Sequence, residues 1–160
     1  MVLEKVDAAA LAERERIATR ARSELAAAGL PVVVPGLDQI VSSGVEVSVC
    51  AFDDCSGVKV TWWCSPRLWL SAKQAVNFER PDMPLVQHHR TVVEAMTPAI
   101  RMILVSAGFE VFDGKSDHTG RSVDLLSAPE AGVPPVWWLR DDEFDGTAPA
   151  EARPSRGSES

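Results

Sequence analysis

The stretch VEVSVCAFDDCSGVKVTWWC, residues 45–64, decides the fold. Val45, Val47, Val49 and Ala51 alternate with polar residues, and Val58, Val60 and Trp62 alternate again, the period of a half-buried strand. Between them, residues 53–57 carry the Asp, Ser and Gly of a turn. The segment reads as a β-hairpin. Pairing Val49 with Val60 and Val47 with Trp62 gathers the apolar positions on one face. The other face then holds Glu46, Ser48 and Cys50 opposite Trp63, Thr61 and Lys59, so one tryptophan stands on a polar surface.

Working outward, Ser65-Pro66 is an N-cap followed by a first helical position, and Leu68, Trp69, Ala72 and Val76 have helical spacing, which predicts a short helix over 66–76. A longer helix is expected over 84–107, where Leu85, His89, Val92, Val93, Met96, Ala99, Ile100, Ile103, Leu104 and Ala107 recur every three or four residues. Asp82 stands where its N-cap would be, Pro84 suits its first turn and Gly108 its left-handed C-terminus. Pro98 predicts a kink near 94–97. Met102 and Val105 point away from the stripe, so the second half of this helix is apolar nearly all round and calls for cover.

On the N-terminal side of the hairpin, residues 3–28 read as an amphipathic helix ended by Gly29 and Pro31. Its stripe is rich in alanine and buries little area, so it must lean on the sheet or on the back of the long helix. Residues 32–34 read as an edge strand or an extended linker. After Gly108, FEVF and RSVDLL form a second strand pair joined by DGKSDHTG, and the last apolar burst covers 136–139.

Helix, hairpin, short helix, long helix, hairpin is the order of an α+β two-layer sandwich, an antiparallel sheet of two hairpins with helices packed on one face. One domain is expected over 1–140, followed by a disordered acidic tail over 141–160. The order of elements resembles a permuted ferredoxin-type arrangement and, in outline, the small acidic secretion chaperones. The resemblance is one of topology and carries no motif.

With 160 residues, 46% hydrophobic and 24% charged, the composition is that of a globular domain. Its richness in Ala, Val, Arg and Asp is that of a GC-rich bacterial coding sequence. No apolar run is long enough to span a bilayer, and the first residues lack the regions of a signal peptide, so a cytoplasmic protein is expected. Cys50, Cys55 and Cys64 are an odd number, read as reduced thiols. Of the net charge of −7, six carboxylates and two arginines leave −4 in the tail and −3 elsewhere. Without a basic stripe, neither nucleic acid nor an anionic membrane is expected as a partner.

Motifs for chemistry are sparse. Gly114-Lys115-Ser116 ends like a phosphate-binding loop, but position 109, where the first glycine belongs, is Phe, and a strand follows in place of a helix. The loop around it gathers Asp117 and His118, which with His88 make the candidate pocket. His88 and His89 lack a ligand partner three or four residues away, and His89 reads as a core-edge histidine; no metal and no cofactor is expected. No pattern of the common hydrolase, zinc-protease or dinucleotide-binding classes is present.

The five tryptophans, Trp62, Trp63, Trp69, Trp137 and Trp138, stand in a chain without tyrosine. Neighbours on a strand point to opposite faces, so Trp62 and Trp63 cannot share one core. The expectation is a non-catalytic bacterial module, chaperone-, immunity- or adaptor-like, that binds another protein or a second copy of itself. Trp63, Lys59, Thr61, Met102 and Val105 are the candidate contact residues. The rival expectation is a small-molecule binder or enzyme with a pocket near the 113–121 loop.

Overall fold

A computed structural model of the chain describes residues 4–38, 40–53, 57–112 and 121–138. Helix α1 (Ala8–Ala27) is followed by β1 (Gly44–Val49), β2 (Val58–Trp63), α2 (Pro66–Asn77), α3 (Pro84–Ser106), β3 (Glu110–Val111) and β4 (Ser122–Ser127). The strands form one antiparallel sheet in the order β1-β2-β4-β3. The expected α+β sandwich of two hairpins is the observed one.

The alternation that suggests the hairpin also places the core. Val45, Val47, Val58, Val60, Val123 and Leu125 are buried on one face of the sheet. Against them lie Ile17, Ala18, Ala21 and Leu25 of α1 and Ile100 and Leu104 of α3, all in one cluster. Two of the α1 contacts are alanines, so a thin stripe suffices by close approach. Helix α1 packs against β1 and beside α3. It leaves the back of α3 bare: Met102 is 72% and Val105 53% exposed.

The hairpin register differs from the expected one. Val45 faces Trp62, Val47 faces Val60 and Val49 faces Val58, a slip of two residues. The ladder extends to Cys50, whose N–H donates to the Gly57 carbonyl at 2.8 Å, so the turn begins earlier than its Asp and Gly residues suggest. Because the side-chain period is two, a slip of two preserves both faces. Both edges of the sheet are shielded. Pro31 and Val33 bond the backbone of Val45, and the Val47 and Cys50 carbonyls accept from Arg22 and Arg14 of α1. The other edge, β3, has two residues and a bulge.

Smaller expectations are also corrected. Helix α1 starts at Ala8 behind the Asp7 cap, because Lys5 is held in a bridge with Phe52. Met83, not Asp82, occupies the N-cap position of α3, with no side-chain cap bond. Helix α3 is a single 23-residue element with Pro98 inside it, a continuity that a kink at 94–97 does not interrupt. Cys50 is disulfide-bonded and so is not the free thiol expected, while Cys64 is free and buried. Trp137 and Trp138 lie in a turn, ring centroids 6.1 Å apart. The segment before them is tied to α1: Arg16 donates to the Pro129 carbonyl at 2.7 Å and Arg20 to that of Val133 at 2.8 Å. The tail over 141–160 lies outside the described residues.

Candidate functional site

Helices α2 and α3 are joined by six residues, so they run back to back as a hairpin. They meet through a small second cluster, Ala72, Ala75 and Val86, separate from the main core. A small core holds the helices together without filling the space between them. On α2, Trp69, Ala72, Lys73, Val76 and Asn77 fall on one helical stripe, and on α3 Val86, His89 and Arg90 do the same. These two stripes, with Arg121 at the entry to β4, line a pocket of about 250 Å³.

The lining divides by chemistry. Trp69, Ala72, Val76 and Val86 supply an apolar wall, and Lys73, Asn77, His89, Arg90 and Arg121 supply polar groups. Among the described residues no carboxylate lines the pocket, although the whole chain carries −7. The Lys73 ammonium stands 4.9 Å from the centre of the Trp69 ring, a cation–π contact between residues four apart on α2. Neither Lys73 nor Arg90 has a carboxylate partner among the described residues. His89 is half-buried, and its imidazole is held below the usual histidine range, first by burial and then by the charge of Arg121. The Arg121 backbone is steadied by α3: the Thr97 hydroxyl lies 3.4 Å from its carbonyl.

The residues singled out in the sequence are scattered by this geometry. His88 is exposed on α3 and does not line the pocket; its neighbour His89 does. Asp117 and His118 lie outside the described residues, as does the Gly114-Lys115-Ser116 tripeptide. Trp63, Lys59 and Thr61 lie half-buried on the sheet face that the helices leave open. There the Trp63 indole N–H donates to the Glu46 carboxylate, whose pKa burial nonetheless pushes up. Met102 and Val105 are on the outer side of α3, across the molecule from that face, so the five do not form one surface.

What sequence reading missed is the pairing of the α2 and α3 stripes. The signal was the short 78–83 connection, which forces the two stripes to face each other. Among the described residues no group of three or more His, Cys, Asp or Glu side chains is placed to hold a metal ion. No helix of the described residues is long and apolar enough to cross a membrane. Comparison of the chain with protein-family profiles, with curated proteins and with solved structures finds no match, so the likeness in element order to ferredoxin-type folds and secretion chaperones carries no argument.

Proposed function

We propose that the protein is a binding module for a small anionic ligand, held between α2 and α3. The observation that supports this reading is the pair of cations Lys73 and Arg90, which line one pocket and have no carboxylate partner among the described residues. Lys73 and Arg90 are both exposed, and an anion that bridges them gains Coulombic and hydrogen-bond energy from two helices at once. Among the described residues the lining holds no nucleophile paired with a base, so the reading is one of binding. Phosphate, sulfate or a small carboxylate at matched ionic strength should raise the melting temperature saturably, and Lys73→Ala with Arg90→Ala should abolish the rise. A wild-type melting curve that no such anion moves would reject the reading.

A second reading, association with another protein, is favoured by the apolar residues left bare on α3 and in the C-terminal turn. Met102 is 72% and Trp138 59% exposed. Isolated exposed hydrophobics are common on folded domains, which is why this reading ranks second.

A further inference from the structure

The lining of the pocket between α2 and α3 mixes cations with apolar side chains, and this narrows its ligand. Resting on the reading of that pocket as an anion site, we infer that its ligand is an organic dianion, such as a phosphate monoester, attached to an apolar ring. Three features carry the inference together. Lys73 from α2 and Arg90 from α3 bring two positive charges with no carboxylate partner among the described residues. Charge matching therefore favours two negative charges over one. Trp69, Val76 and Val86 stand among these cations, are apolar and offer no hydrogen bond to a bare inorganic ion, so their surface is used only if the ligand carries a hydrophobic part. Trp69 holds the Lys73 ammonium over one face of its ring, so a ligand ring would meet its edge or its other face, beside the cation that takes the charge.

At about 250 Å³ the pocket has room for one ring with one charged group. His89 completes the set as a neutral imidazole at neutral pH, able to donate one hydrogen bond without adding charge.

Isothermal titration of the full chain with four probes tests this: phenyl phosphate, inorganic phosphate, phthalate and benzoate. Phenyl phosphate should bind about tenfold or more tightly than both inorganic phosphate, which lacks the ring, and benzoate, which lacks the second charge. Phthalate tells a dicarboxylate from a phosphate ester as the source of the two charges. Lys73→Ala and Arg90→Ala should each weaken phenyl phosphate by about tenfold. Lys5→Ala removes one positive charge away from the pocket and should leave the affinity unchanged. Trp69→Leu, with folding confirmed by circular dichroism, should erase most of the preference for phenyl phosphate over inorganic phosphate.

Equal affinity for phenyl phosphate and inorganic phosphate would overturn the apolar half of the inference. Equal affinity for phenyl phosphate and benzoate would overturn the dianion half. Either result leaves the anion site itself standing. No binding of any of the four would instead remove the anion site and the inference with it.

Discussion

Glu79 is held in the left-handed region at φ 56° just past the end of α2, where the Arg80 N–H bonds the Ala75 carbonyl and the Glu79 N–H bonds that of Val76. This is the helix-ending motif that elsewhere places glycine, and Gly29 and Gly108 fill the same role after α1 and α3 with φ of 85° and 87°. A glutamate there bears a steric cost of roughly 1–2 kcal/mol, and glycine would trade it for a smaller entropic one. Glu79→Gly should therefore stabilise the fold by about 0.5–1 kcal/mol and raise the melting midpoint by about 2–4 °C; an unchanged or lower midpoint would contradict the strain. The two glycines were legible because a residue without a Cβ advertises its conformation. The glutamate was not, since nothing in its chemistry marks a left-handed turn. The pocket shows the same asymmetry: His88 and His89 are equal in the sequence, and only the phase of α3 turns His89 inward and His88 to solvent.

At the scale of the element, α3 shows how far periodicity reaches. Val86, Val93, Ile100 and Leu104 are its buried residues. Val92 and Ile103, equal members of the stripe in the sequence, are only half-buried. A helical stripe fixes a side, while the residues at its centre depend on where the neighbours sit, and those neighbours are α1, α2 and the sheet. Ile100→Asp would place a carboxylate with no partner at a position 1% exposed, and it should abolish soluble folded protein. Ile103→Asp should be milder, leaving folded protein with a lowered melting temperature. Equal expression and equal melting of the two variants would show that the phase assigned to α3 is wrong. The strands were more legible than the helix ends, because a two-residue period tolerates the register slip that β1 and β2 show.

For the whole molecule, the decisive fact is that the described helices that touch the sheet all lie on one of its faces. The open face carries Glu46, Ser48, Lys59, Thr61 and Trp63, and Trp62 and Trp63 divide between the two sides as neighbours on a strand must. The sequence made that division plain, but it could not say whether the open face would be covered, because cover depends on how distant segments pack. Trp62 packs against the main core, with its indole nitrogen buried. Removing it leaves a cavity, and Trp62→Ala should cost about 3–5 kcal/mol of stability. Trp63 stands half-buried over Gly44, with its indole bonded to Glu46. Its loss forfeits one hydrogen bond and part of a ring's cover, so Trp63→Ala should cost about 1 kcal/mol, measured by chemical denaturation. The ordering of the two costs is the test. If Trp63→Ala were as damaging as Trp62→Ala, the second face would be buried as deeply as the first, and the two-layer description would give way to a sheet covered on both sides.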